Sequence, residues 1–141
     1  MKKLTFIIFL MFTYQGCLSQ KVKYRTTEGT LVLKGYFFKI DTLKNFYTYH
    51  FKSDSIEGIF TKSIGQNFDN PNFKDIKLHK KYTLILHKQL YAGSMNFNNL
   101  KESIYEDNIL IWKTGMKSQY FTDCENIKGG KINQNFTLSK D

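Results

Sequence analysis

TLVLKGYFFKID, residues 30–41, places apolar side chains on both of its faces, and the rest of the architecture follows from reading it as one long strand. Leu31, Leu33 and Phe37 share one face, while Val32, Phe38 and Ile40 share the other. That is the two-residue repeat of extended backbone. Gly35 stands where the pattern changes and predicts a bulge or a sharp bend. The turn signal DTLKN follows at residues 41–45.

Working outward, FYTYHFKS (residues 46–53) alternates Tyr47, Tyr49 and Phe51 with Thr48, His50 and Lys52, the signature of a half-buried strand. Asp54 and Ser55 turn the chain, and IEGIFTKS (residues 56–63) reads as the return strand of a hairpin. Asn70 before Pro71 is a helix-start signal, so a helix of one or two turns is expected through about Ile76. KKYTLILHK (residues 80–88) is the strongest strand signal, with Tyr82, Leu84 and Leu86 opposed to Thr83, Ile85 and His87. Asn99 followed by Glu102 predicts a second short helix, capped at its start and running through Tyr105. A fifth strand is expected over residues 108–115 and a sixth over 118–123. Gly129 and Gly130 then form a turn, and residues 133–141 read as a weak strand or a tail.

Three strands, a short helix and two or three more strands, with a long bent first strand, resemble an oligonucleotide/oligosaccharide-binding (OB) barrel across about residues 30–115. The expected fold is therefore mostly β: a small five- to six-stranded antiparallel barrel, OB-like, with one or two short helices. A lipocalin-like barrel or an open β-sandwich fits the same strand count. Two stretches, Gly35 to Asp41 and Lys80 to Leu86, also resemble small exported proteins of Bacteroidetes type. That resemblance implies export and carries no activity with it.

The N-terminus supports export independently. MKK precedes LTFIIFLMF, an uncharged run of signal-peptide length that is too short to cross a bilayer. Residues 1–19 are read as a signal peptide and 20–141 as a single β-rich domain, with its core at about 30–132 and a tail at 133–141. An ordinary cut after Ser19 uses Cys17 and Ser19 as its small residues. A lipoprotein cut before Cys17, after Gly16, is the alternative, although Tyr14 and Gln15 fit that pattern poorly. The ordinary cut implies a periplasmic or secreted protein, and the lipoprotein cut a membrane-anchored one acylated at Cys17.

The formal net charge is +9, of which Lys2 and Lys3 leave with the leader. A basic balance attracts polyanions. Yet Arg25 is the only arginine, and bidentate reading of phosphates or bases favours arginine over lysine. The abundance of Lys, Asn, Ile and Phe also matches an AT-rich coding bias. After an ordinary cut Cys124 is the single remaining cysteine, and after a lipoprotein cut Cys17 is acylated and Cys124 is again alone as a thiol, which excludes an intramolecular disulfide and reads as a buried thiol.

No catalytic motif stands out. His50, His79 and His87 form no close-spaced pair and have no carboxylate cluster around them, so neither a metal site nor a cofactor is expected. Asp123 and Glu125 flank Cys124 and disfavour a thiolate. The carboxylate pairs Asp54 with Glu57 and Glu106 with Asp107 read as turn and surface residues. The 22 phenylalanines and tyrosines include several interleaved with Lys on the second strand. There Tyr47, Tyr49 and Lys52 are the candidate ligand face, able to stack rings and pair with anions. Asp41-Thr42-Leu43 and Asp54-Ser55-Ile56 resemble the O-glycosylation sequon of exported Bacteroidetes proteins, making Thr42 and Ser55 candidate modification sites.

The functional expectation is an exported, non-enzymatic β-barrel module that binds a partner of the envelope or the extracellular space: a polyanion, a glycan or an envelope protein. A lipid-anchored structural or assembly lipoprotein is the alternative, and contact with a membrane is expected only if Cys17 is acylated. An enzyme with a scattered active site is a third class.

Overall fold

The computed structural model describes residues 20–65, 69–89 and 101–140. The signal-peptide reading and Cys17 lie outside them. Every regular element among the described residues is a strand: β1 (Val22–Thr26), β2 (Thr30–Thr42), β3 (Phe46–Ser53), β4 (Glu57–Ser63), β5 (Phe73–Asp75), β6 (Lys81–His87), β7 (Ser103–Glu106), β8 (Ile109–Lys113), β9 (Gln119–Tyr120), β10 (Asp123–Cys124), β11 (Ile127–Lys128), β12 (Lys131–Asn133) and β13 (Phe136–Lys140).

The main sheet has six strands in the order β10-β6-β2-β3-β4-β9 and curls into a half-barrel. β2 organises it. Its first half, from Thr30 to Tyr36, pairs antiparallel with β6, and its second half, from Gly35 to Thr42, pairs antiparallel with β3. Gly35 and Tyr36 are shared by both ladders, Gly35 facing Tyr82 on one side and Ser53 on the other. A Cβ there would lie 2.9 Å from the Lys52 carbonyl oxygen, so the crowded switch from one partner to the other requires glycine. The bulge falls three residues later, at Phe38, where the register slips between Phe37 and Lys39. It turns Ile40 to the same face as Phe37.

β2, β3 and β4 form a meander, and β9 then runs parallel to β4. β10 follows after two residues and runs antiparallel to β6. The two edges of the sheet are thus lined by one short stretch of chain: the Phe121 amide donates to the Ile59 carbonyl, and the Thr122 amide to that of His87.

Inside the curl lie Phe37, Tyr49, Phe51, Phe60, Tyr82, Leu84, Leu86, Phe121, Cys124, Ile127 and Ile132. Tyr49 stacks on Phe60 with ring centroids 5.0 Å apart, and Phe37 meets Tyr49 edge-on at 5.4 Å. Such aromatic contacts add about 0.5–1.5 kcal/mol each beyond the area they bury. The Phe51 ring lies directly over Gly58, on the neighbouring strand, where there is room for no side chain.

Beyond β10, β6 has no strand neighbour, and side-chain amides take over its ladder. Asn126 Oδ1 accepts from the Ile85 amide at 3.1 Å, and its Nδ2 donates to the carbonyls of Thr83 and Asn133, both at 2.9 Å. Gln134 Oε1 accepts from the Thr83 amide at 2.7 Å. Asn126 and Asn133 are both fully buried.

Neither expected helix forms among the described residues. Asn70 and Pro71 initiate a turn in which Asn70 Oδ1 accepts from the Asn72 amide and the Asn70 carbonyl from the Phe73 amide. The side chain that could cap a helix also makes an Asx-turn. With only Phe73 and Ile76 apolar, the segment gains more by adding β5 to β12, which buries Phe73. Asn99 lies outside the described residues, but Ser103–Glu106 is strand β7. Asp107 and Asn108, both at positive φ (48° and 65°), make a two-residue hairpin turn into β8. The chain's end is also strand: β13 pairs in parallel with β1, an element the alternation analysis did not assign.

Candidate binding groove

The outer face of the β2–β3–β4 meander carries the most informative surface. On β3, Phe46, Thr48 and His50 point outward while Tyr47, Tyr49 and Phe51 point in, as alternation demands. Thr48 faces Asp41 on β2 and Thr61 on β4, and His50 faces Lys39 and Ile59. The β7–β8 hairpin lies against this face. Ile111 packs with Phe46 and Ile59, and Leu43, Trp112 and Tyr120 close around them as a second, outer core. Trp112 Nε1 donates to the Ser118 carbonyl at 2.7 Å, fixing the indole. Two polar ties hold the hairpin tip: Asn45 Nδ2 donates to Asp107 Oδ2 at 2.6 Å, and Thr61 Oγ1 to Glu106 Oε1 at 3.3 Å.

Between meander and hairpin runs a groove of about 400 Å³. One wall is polar, with Lys39, Asp41, Thr42, Thr48 and His50; the other is aliphatic, with Leu43, Ile59, Ile109, Leu110 and Ile111. Lys39 Nζ contacts Asp41 Oδ2 at 2.7 Å, and His50 Nε2 approaches the same oxygen at 3.4 Å. Burial and the nearby Lys39 ammonium lower the His50 pKa from 6.5, with Asp41 opposing them, so the imidazole is neutral at pH 7. The Thr48 hydroxyl is buried and has no hydrogen-bond partner among the described residues. An orphaned buried hydroxyl is rare enough to require a reason.

A larger hollow of about 730 Å³ opens beside β1 and β13, walled by Thr26, Thr27, Glu28, Thr30, Val32, Leu138 and Lys140. Its threonines are occupied. Thr27 and Thr30 bond to each other at 3.1 Å, and Thr26 donates to the Ser139 carbonyl. Among the described residues no orphaned buried group marks it as a site.

The residues singled out from sequence fall in several places. Tyr49 is fully buried within the curl, and burial raises its phenol pKa. Tyr47 is half-buried on the same inner face, its ring beside Gly130. Lys52 is exposed and points outward. The three do not share a surface, because consecutive odd and even positions of β3 face opposite ways. Thr42 is exposed at the end of β2, where it reaches the groove, and Ser55 is exposed in the β3–β4 turn, so both are open to modification.

The histidines are dispersed. His50 meets Asp41, His79 sits in a turn beside Tyr36, and His87 Nε2 lies 3.0 Å from Glu125 Oε2. Among the described residues no three His, Cys, Asp or Glu side chains gather as metal ligands. Cys124 is fully buried in the core, and burial pushes its thiol up to about 12. Glu57 pairs with Lys117, while Glu106 and Asp107 are the hairpin ties.

Alternation alone could have placed Thr48 and His50 outward. The hairpin that makes a groove of that face was hidden by reading residues 103–105 as helix. The signal that would have found it is Asp107-Asn108 between the apolar pairs Ile104/Tyr105 and Ile109/Leu110. Comparison with known protein families, with curated proteins and with solved structures finds no match to this chain.

Proposed function

We propose that this chain is an exported, non-enzymatic β-barrel module that binds a partner in the groove between the β2–β4 meander and the β7–β8 hairpin. The observation that carries the reading is a groove with one polar and one aliphatic side, whose lining includes Thr48 with its buried, orphaned hydroxyl. Small-molecule sites are usually concave, of about 300–1,000 Å³, and combine apolar walls with a few converging polar groups. An OB-like connectivity supports the same face. The β2–β4 meander, β9 running parallel to β4, β10 running antiparallel to β6, and β6 returning to β2 resemble a Greek-key barrel of the class whose strand-two and strand-three face binds ligands.

The non-enzymatic part rests on Cys124, whose buried, protonated thiol is a poor nucleophile, and on His50 and His87, whose Nε2 atoms are each engaged by a carboxylate. Export rests on the leader pattern of residues 1–19.

The groove reading is tested by titrating the isotope-labelled protein with mixtures of small organic fragments and following backbone amide resonances. Perturbations gathering at Leu43, Thr48, His50 and Ile111 are expected. Perturbations gathering instead beside Thr27 and Leu138, or nowhere, would overturn it. Export is tested by the intact mass of the protein recovered from its native cells, where a chain starting at Gln20 or at an acylated Cys17 is expected and a retained Met1 would refute it.

A further inference from the structure

From the groove's charge and hydrogen-bonding inventory, and resting on the binding reading above, we infer that its ligand is a neutral, hydroxyl-rich ring compound, of the kind a sugar unit presents. Three observations lead there. The first is charge. The chain carries a formal +9, yet the groove's two permanent charges, Lys39 and Asp41, cancel across 2.7 Å, and its histidine is neutral. A polyanion gains nothing at this place that it would not gain elsewhere on the lysine-rich surface. Any net-charged ligand would also disturb an ion pair that is already matched.

The second is the set of free valences. Asp41 uses Oδ2 for both Lys39 and His50, which leaves Oδ1 as an open acceptor. Among the described residues His50 uses only Nε2, which leaves Nδ1. Thr48 keeps a whole hydroxyl, donor and acceptor together. Asp41 and Thr48 are cross-strand partners, and His50 is two residues from Thr48 on the same face. Adjacent hydroxyls on one side of a ring match such a row, because each can donate to one group and accept from the next.

The third is the opposite wall. Ile109 and Leu110 expose 42% and 39% of their surface beside the row, an apolar face against which the C–H side of a ring can pack. The Thr48 hydroxyl is covered as the groove stands, and a ligand reaches it by displacing the hairpin tip, which the Asn45–Asp107 and Thr61–Glu106 bonds and the outer core hold down.

The test is a titration of the labelled protein with neutral trisaccharides of glucose, mannose and N-acetylglucosamine, and separately with their uronate counterparts and with polymers of the same units. Neutral sugars are expected to shift Thr48, His50 and the Asp107–Asn108 turn at millimolar concentration, with uronates weaker. Polymers binding more tightly than the trisaccharides would point to a wall or capsule glycan, and equal affinity to a free sugar. Thr48→Val is expected to raise the melting temperature, because it removes an orphaned hydroxyl, and to weaken sugar binding by about tenfold. A merely structural threonine would give neither this pairing nor any change in sugar affinity. Preference for uronates, or unchanged affinity in Thr48→Val, would overturn the inference. If fragments perturb the groove and no sugar does, the ligand class is refuted while the groove remains a site. If neither does, both fall.

Discussion

Replacing Asn126 should damage this fold more than any other single polar change, and the size of the loss can be worked from its contacts. Its side chain stands in for a missing strand beside β6. It accepts from the Ile85 amide and from the Cys124 thiol, and it donates to the Thr83 and Asn133 carbonyls. In Asn126→Ala the two carbonyls keep a partner, since Gln134 Nε2 donates to Thr83 O at 2.9 Å and to Asn133 O at 3.0 Å. Among the described residues the Ile85 amide is left with only the weak Cys124 sulfur as acceptor, and Ile85 is fully buried. A buried donor so poorly satisfied costs about 1–3 kcal/mol. A cavity of amide size and the weakened carbonyl bonds bring the loss to about 2–4 kcal/mol. With an m-value of about 1–3 kcal/mol/M, the urea midpoint should fall by about 0.7–4 M.

Asn126→Asp tests the polarity of the same bonds. It keeps an oxygen for the Ile85 amide but directs a carboxylate oxygen at two carbonyl oxygens where the amide donated at 2.9 Å. The folded state therefore favours the protonated acid, and its pKa rises above the unfolded value of about 3.9. Between the two values the folded protein holds more protons, so stability should fall as pH rises from about 4 to 7. Urea denaturation at pH 5 and pH 7 checks both variants. An alanine variant losing under about 1 kcal/mol, or an aspartate variant equally stable at both pH values, would refute the idea that this amide completes the ladder.

Tyr49→Phe should stabilise the protein by about 1 kcal/mol, because the phenol is buried inside the curl with no partner among the described residues; thermal melts should show a rise of a few degrees. Gly58→Ala should cost about 1–3 kcal/mol, since the new methyl occupies the space of the Phe51 ring, and chemical denaturation reads it directly. Lowering the pH through 6.5 should destabilise the wild type. The folded-state pKa of His50 lies below its ordinary value, so the unfolded chain takes up the proton first and stability declines from pH 6.5 downward. His50→Gln should lose that part of the decline in melts recorded between pH 7.5 and 5.5. Cys124 should resist thiol reagents in native buffer and react only at the rate at which the core opens, as timed labelling with and without urea would show.

Local alternation carried much of the architecture. The faces of residues 46–53 and 80–88 alternate as read, because extended backbone obeys a period of two, although Phe46, Thr48 and Ile85 on the outer face are buried as well. What failed was punctuation. Asn70-Pro71 and Asp107-Asn108 are signals shared between helix ends and tight turns, and only the partner decides between them. β8, the partner of residues 103–106, follows directly after Asp107-Asn108, and its pairing is lost only by reading the turn as a helix end, whereas β12, the partner of Phe73, is not visible from the local stretch. β1 went unassigned for the same reason: VKYRT has one buried side chain, Tyr24, and becomes a strand because β13, more than a hundred residues later, lies beside it. The ligand-face choice of Tyr47, Tyr49 and Lys52 mixed two faces of one strand. Aromatic character drew attention to side chains that fill the curl, whereas the outward row is made of the less conspicuous Thr48 and His50.

Thr48 and Tyr49 sharpen that distinction, since they are chain neighbours and each holds an orphaned hydroxyl, one facing the groove and one the core. If both were only leftover cost, Thr48→Val and Tyr49→Phe would raise stability alike and alter nothing else. A core hydroxyl has no route to a ligand, so Tyr49→Phe should leave groove binding intact. A groove hydroxyl retained despite its cost has a partner to come, so Thr48→Val should exchange binding for stability. The comparison holds sequence context, strand and degree of burial nearly constant and varies only the face. A divergence between these two variants therefore locates function on the outer side of β3, and identical behaviour would remove the strongest ground for placing it there.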